Sequence, residues 1–265
     1  MINIFVEGIG LAGPGLAGWT AAQPVLAGAE PYQSAPVQLP AITMLPPAER
    51  RRAVPTVKLA LAVGGEALAH SGREPVGMAT VFASSDGDGT TLHEILRVLA
   101  TPQREISPTA FHNSVHNAPS GYWALATGSR APSTSLGAFD GSFAAGLLDA
   151  AVQAMVDDRP VTLIAYDQPL PEPLHAARPL GAAFGVALVL TPARTDRSLA
   201  ALRIALCYDE QVETVLVDVG LEQLRLGNPA ARSLPLLMVL ARGGTQIVRL
   251  VAAGGLGVEI LVAPP

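Results

Sequence analysis

A layered α/β fold is what this sequence predicts, and three observations carry the prediction. Short runs of Ile, Val, Phe and Leu alternate with Ala- and Leu-rich helical segments along the 265 residues. The run VTLIAYD (161–167) is apolar almost throughout, as a strand buried on both faces must be. The chain also opens on INIFVEGI (2–9), a strand of Ile, Phe and Val.

The other elements follow in order. Residues 12–47 are rich in Gly and Pro and predict long loops. Such a structureless stretch is unusual in a compact domain and points to a partner or substrate surface. From Pro55 to Ala69 the apolar residues recur at helical spacing, interrupted by Gly64 and Gly65. A buried strand is expected at 78–84, closed by the turn SSDGDG. Thr90 is placed to cap the helix TTLHEILRVLA that follows. Residues 114–127 predict a helix with Pro119 breaking its first turn. Residues 132–138 predict a strand of small residues, and DGSFAAGLLDAAVQAMVDD a buried helix. GAAFGVALVLTPA (181–193) and LAALRIALCY (199–208) predict two adjacent antiparallel strands. A helix at Pro229–Ala241 and strands near 246–251 and 257–263 close the chain. No fixed-period repeat runs through the sequence.

Composition narrows the function. Hydrophobic residues make up 49% and charged residues only 15%, against about 25% charged in an average soluble protein. Ample core material argues against disorder. The formal net charge is −5, Lys58 is the sole lysine, and no basic cluster exceeds Arg50-Arg51-Arg52. Nucleic-acid binding, which needs a clustered cationic footprint, is not expected. Cys207 is the single cysteine, so neither an internal disulfide nor a Cys-rich metal site is available, and a reducing, cytoplasmic setting fits. Residues 1–29 are apolar but lack a basic leader region and contain Glu7, so no targeting segment is expected. The apolar stretch Gly181–Ala193 is shorter than the ~20 residues of a spanning helix. A mean hydropathy of +0.37 without a span has two readings: an apolar surface covered by another subunit, or an Ala-rich core.

Few motifs carry chemistry by themselves. GIGLAGPG (8–15) follows a strand as a dinucleotide loop would. Pro14 and the missing amphipathic helix spoil that fingerprint, and a structural loop is expected. There is no P-loop, no HExxH and no properly spaced GxSxG. The acidic turn Asp86–Asp88 lacks the rest of a calcium loop. His112 and His116 are four apart and would share a helical face, but no third ligand accompanies them, so structural or interface histidines are expected. His93 reads as a surface residue and Cys207 as an inert core residue of an apolar strand.

The informative stretch is 104–167. Ser107-Pro108 is followed by Asn117, Gly121, Gly128, Arg130 and Pro132, then by a small-residue strand, an Ala-rich helix and the strand ending at Asp167. In order and spacing this resembles the N-terminal half of a β-ketoacyl synthase, a family with the thiolase-like layered fold. TVKLALAVGGEAL and ARPLGAAFGVALVLTPA extend the resemblance to roughly residues 45–195. It implies one thiolase-like domain over 1–265, truncated relative to a full ketosynthase. Residues 1–195 would be the N-terminal-like half and 196–265 a shortened remainder.

Two departures set the functional expectation. The active members carry a nucleophilic cysteine where the small-residue strand turns into the Ala-rich helix, favoured there by the helix N-terminus. Counting from Pro132, that place is held by Asp140, a good helix cap and a poor acyl acceptor. The active members also use two histidines in the C-terminal half, and this sequence has none after residue 195. The chain therefore resembles the chain-length factors, in particular the small subunit of aryl polyene type II polyketide systems. The resemblance implies a catalytically silent subunit without a cofactor, heterodimeric with a ketosynthase that acts on acyl-carrier-protein-bound chains. The strand Ser133–Gly137, with Ser133, Thr134 and Ser135, would pair across the dimer axis. Thr109, Ala110, Phe111, His112 and Asn113 would lie at the partner's acyl tunnel, and Phe139 would fill the vacated pocket. Two alternatives stay open: an active acyl-transferring or condensing enzyme using Ser142, Ser114 or Cys207, and a homodimeric scaffold without catalysis.

Overall fold

The structure, a computed structural model, describes residues 1–207 and 213–265. Among these residues nine strands form one mixed sheet. Strand β1 (Ile2–Gly13) turns at Pro14-Gly15 into the short β2 (Leu16–Ala17), and α1 (Trp19–Ala27) follows. After an irregular stretch come α2 (Pro47–Arg52), α3 (Pro55–Ser71), β3 (Ala79–Ala83) and α4 (Gly89–Leu99). Next are α5 (Pro108–Asn113), α6 (Ala118–Thr127), β4 (Ser133–Leu136), α7 (Ser142–Val156) and β5 (Val161–Asp167). The chain continues through α8 (Leu174–Ala177), β6 (Phe184–Thr191) and β7 (Ala200–Cys207). It ends with α9 (Val219–Gly227), α10 (Leu234–Arg242), β8 (Gln246–Val251) and β9 (Gly257–Ala263).

The sheet order is β4-β3-β5-β6-β1-β7-β9-β8, with β2 on β1. β3 pairs in parallel with β4 and β5; the other pairs are antiparallel. The adjacency expected of β6 and β7 does not occur, because β1 lies between them. Residues 5–12 of β1 pair with β6 and residues 2–6 with β7. A twelve-residue strand buried on both faces can satisfy its backbone only at a sheet centre. Tyr208, the last residue of the expected strand, lies outside the described residues.

One bulge explains the pattern of β1. The register shifts between Val6 and Gly8, leaving Glu7 as the extra residue. Before it Ile4 and Val6 face one core; after it Ile9 and Leu11 do. The Glu7 side chain is buried on Arg73 and the Thr195 hydroxyl. Burial alone would raise its pKa, but these two partners outweigh that and hold the carboxyl below its ordinary value.

Two cores flank the sheet. On one face α3 sets Val57, Leu59, Leu61 and Val63 against Ala187, Val189 and Ile164. On the other, Phe143, Leu147 and Ala151 of α7 join Leu234 and Leu237 of α10 over Val81, Leu163 and Leu188. This gives the helix/sheet/helix layering expected of the thiolase-like fold. Gly8, Gly10 and Gly13 of GIGLAGPG belong to β1, and only Pro14-Gly15 form a turn. A Cβ on Gly8 would stand 2.2 Å from the Ala67 carbonyl oxygen, and one on Gly10 2.0 Å from that of Val63, so α3 rests on bare backbone.

Several local expectations change. The stretch 12–47 contains β2 and α1, a helix disguised by Pro24 and by Gly18 and Gly28 at its two ends; only the later part of the stretch is irregular. Thr90 is not the cap of α4: Asp88 is, accepting the Thr91 N–H at 2.9 Å. The helix expected at 114–127 starts later, as α6, and Pro119 sits in its first turn without breaking it; α5, which ends before residue 114, has no counterpart in the sequence reading. α9, capped by Asp218 on the Leu221 N–H at 2.9 Å, has no counterpart in the sequence reading.

Gly10→Ala is expected to destabilise the fold by about 1–3 kcal/mol through overpacking against backbone. Thermal denaturation checks this; an unchanged melting temperature would show that α3 yields freely.

Candidate functional site

The site lies where β4 turns into α7. Ala138 leaves the strand at φ −145°, and Phe139 takes φ 53°. A single 3-10 turn, Phe139–Gly141, then leads into α7. The Ser142 hydroxyl braces this elbow, accepting from the Ala138 N–H at 3.0 Å and donating to the Phe139 carbonyl at 2.7 Å. Three segments close around it: the loop Ser84–Asp88 after β3, the end of β5 at Asp167, and the tail around Arg178 and Arg232.

Asp140 is an ion-pair hub. Arg178 Nη2 lies 3.0 Å from its carboxylate and Arg232 Nη2 3.8 Å. Arg178 also donates through Nε to Asp86 at 2.8 Å and through Nη2 to the Ser85 hydroxyl. Its guanidinium carbon sits 3.6 Å from the Phe139 ring centroid. Burial opposes the charge on Arg178, but Asp86 and Asp140 outweigh it and keep its pKa above the ordinary value. Arg232 continues to Glu213 at 3.0 Å, Glu213 to Arg225 at 2.7 Å, and Arg225 to Glu222 at 2.6 Å. A chain of alternating charges thus ties the elbow to α9 and the turn before α10. The capping role expected of Asp140 is not found, because α7 has no side-chain cap and the carboxylate points to the arginines instead.

Beneath the elbow lies a buried carboxyl that the sequence reading did not single out. Asp167 is 1% exposed. Its Oδ1 accepts from the Ser84 hydroxyl at 3.0 Å and the Ser85 N–H at 2.8 Å, while Oδ2 is buried without a partner. Burial raises its pKa from 3.8 to about 7. The only sequence signal was a charged residue closing an otherwise apolar strand.

The candidate tunnel residues divide. Thr109, Phe111 and His112 are exposed on α5, and Ala110 is half-buried. Asn113 differs: it is 3% exposed, donates to the Arg52 carbonyl at 3.0 Å and accepts from the Tyr122 hydroxyl at 3.1 Å. Its side chain binds α5 to α2 and α6, so it offers no open face whose bulk could be varied. Ser133, Thr134 and Ser135 lie on β4, at the sheet edge. Phe139 does not fill a pocket of this chain; it is 62% exposed, since its left-handed backbone turns the ring outward.

The remaining candidates do not converge on the elbow as a catalytic set. Ser142 is 1% exposed with its hydroxyl engaged, and the Ser114 hydroxyl donates to the Phe111 carbonyl at 2.8 Å. Cys207 ends β7 opposite Gly257 and is only half-buried, not the core residue expected, because it closes the strand at its end. His112 and His116 do not share a helix. His112 stands edge-on to Tyr122 at 5.7 Å, whereas His116, beyond α5, holds the Ser84 carbonyl through Nε2 at 3.0 Å. Among the described residues no cluster of three or more His, Cys, Asp or Glu is arranged for a metal ion. Among the described residues no helix is long and apolar enough to cross a membrane.

The Asp167 pKa predicts a pH dependence. The folded state holds this proton more tightly than the unfolded one, so the stabilisation is complete below pH 3.8 and is lost as pH rises to about 7. Asp167→Asn is expected to flatten that slope and to gain stability over the parent at pH 8. Melting curves from pH 5 to pH 8 test it, and parallel slopes for both proteins would refute it.

The comparisons with known proteins agree with this geometry. Curated proteins provide no match to the sequence. Among solved structures, the ketosynthase ApeO in complex with its chain length factor ApeC from Xenorhabdus doucetiae superposes with a TM-score of 0.74. The identity is 23%, covering 98% of this chain and 100% of that one. The ishigamide ketosynthase/chain length factor gives 0.72 at 14% identity over 99% of both chains. The type II polyketide synthase complex AntDE:AntF, an acyl-carrier protein with its ketosynthase, gives 0.75 at 11% identity over 100% of this chain and 99% of that one. These similarities establish the ketosynthase-like fold. Residues 19–223 match the family model of the β-ketoacyl synthase N-terminal domain, and with the elbow, sheet order and layering described above, the chain belongs to that family.

Proposed function

We propose that this chain is a catalytically silent, chain-length-factor-like subunit that pairs with a ketosynthase and shapes the tunnel for the growing acyl chain. The observation that carries the reading is the unpaired edge of β4 beside an elbow whose nucleophile position holds a clamped aspartate. The Pro132 and Leu136 carbonyls accept from the N–H groups of Thr80 and Ser84 in or just beyond β3. With the two-residue period of a strand, Ser133 and Ser135 present their backbone groups to the other side. Small side chains there let a second strand approach and extend the sheet through both subunits.

Apolar surface flanks that edge. Val152, Met155 and Val156 of α7 are exposed, and Gln153 between them reaches Thr134 at 3.0 Å. Leu92, Leu96 and Leu99 form an exposed stripe on α4, and Phe111 is exposed on α5. The high hydropathy has an Ala-rich core behind it, and the apolar residues that remain outside support the reading of a surface covered by another subunit. Two similar structures are ketosynthase–chain-length-factor assemblies and a third holds an acyl-carrier protein, which supports the same partners here. The proposal extends to a cytoplasmic, aryl polyene-type system acting on carrier-bound chains. It also takes the chain as one thiolase-like unit in which residues 196–265 replace a catalytic half.

Ser135→Pro removes an outward N–H and leaves the β3 ladder intact. Co-expression with a candidate ketosynthase is expected to yield a one-to-one complex for the parent chain and none for this variant. The isolated chain, incubated with a reactive acyl thioester, is expected to form no adduct by mass spectrometry. A stable adduct would favour the active-enzyme alternative, and a homodimer indifferent to the ketosynthase would favour the scaffold. Ala110→Trp is expected to shorten the products of the complex without abolishing turnover; an unchanged product length would remove α5 from the tunnel.

A further inference from the structure

We infer that Phe139 is a pre-positioned aromatic anchor that inserts into an apolar pocket on the ketosynthase subunit; this rests on the pairing proposed above. Three observations point to it. The first is strain: Phe139 is a bulky residue at φ 53°, a region that favours glycine. Inside the chain the ring meets the Arg178 guanidinium, and it is otherwise open, 62% exposed. An aromatic residue that is both strained and solvated is unfavourable on two counts unless a partner covers it.

The second observation is rigidity. Ser142 bonds the backbone on both sides of the elbow, at the Ala138 N–H and the Phe139 carbonyl. Arg178 lies 3.6 Å from the ring centroid, and Asp86 and Asp140 hold that guanidinium in place. The ring is therefore fixed before any partner arrives, which removes an ordering cost from association. The third is charge. Arg178, the cation stacked on the ring, is paired with both Asp86 and Asp140. Its charge is thus met within the chain, so the ring is offered to an apolar receptor without a free cation that would call for an acidic one. The ring also stands just beyond Leu136, where the free edge of β4 ends. Strand pairing at that edge would carry a partner's surface onto it, as an aromatic anchor near an interface centre requires.

Phe139→Gly separates this role from a structural one, because glycine relieves the backbone strain while deleting the ring. The isolated Phe139→Gly chain is expected to melt at or above the parent's temperature. Its affinity for the ketosynthase that forms the one-to-one complex with the parent is expected to fall at least tenfold by calorimetry. Phe139→Ala keeps the strain and is expected to lose affinity to the same extent. A lower melting temperature for the glycine variant would make the ring a structural element, and unchanged affinity in both variants would remove it from the interface. Either result overturns the inference while leaving the pairing intact. Failure of the parent chain to bind any ketosynthase overturns the pairing itself, and the inference with it.

Discussion

Direct contact between helix α3 and the bare backbone of β1 is the constraint on which the rest of the molecule depends. Gly8 and Gly10 let the Ala67 and Val63 carbonyls come within about 2 Å of where a Cβ would stand. That closeness brings β1 to the sheet centre, buried on both faces, with β6 on one side and β7 on the other. From β6 the order runs through β5 and β3 to β4, so the position of the β4 edge follows from the centre outward. The bulge at Glu7 belongs to the same constraint. It re-aims the apolar residues of β1 to one core, and its buried carboxylate is compensated by Arg73 and Thr195.

The elbow shows how a family scaffold is occupied when it holds no sulfur. A carboxylate stands at the counted nucleophile position and is gripped by two guanidinium groups that continue into a charge chain through Glu213, Arg225 and Glu222. Arg225 is only 2% exposed, so the distal part of this chain is desolvated and its members are mutually dependent. Asp140 itself keeps nearly half its side-chain surface, and its pairs are correspondingly screened. The network therefore reads as a brace that links the elbow to the last third of the chain. Ser142, the one hydroxyl at the start of α7, is likewise used up in holding the turn.

Much of the fold was legible because it rests on local patterns. VTLIAYD, the small-residue strand ending at Leu136 and the Ala-rich helix after the elbow all fall where their composition placed them. Counting from Pro132 put Asp140 at the turn from strand to helix, and the structure has it in that turn. What the pattern misjudged has a physical reason in each case. α1 was hidden by Pro24 and its flanking glycines, and α5, a helix of six residues, is too short to show a helical period. Asn113 sits in a run whose other polar or small members face solvent, and only packing reveals that its amide ties three helices.

The sequence by itself determined the layering, the strand and helix content, the missing cysteine and the absence of a late histidine, since each depends on residue type and short-range spacing. Tertiary structure alone decided that β1 separates β6 from β7, that Arg178 and Arg232 converge on Asp140, and that Asp167 is buried beneath the elbow. These join residues that are far apart in the chain, such as Arg178 and Asp86, and no local propensity encodes a contact between them. The outward ring of Phe139 belongs to the same class, because a left-handed backbone at an aromatic residue arises only when surrounding bonds overrule its own preference.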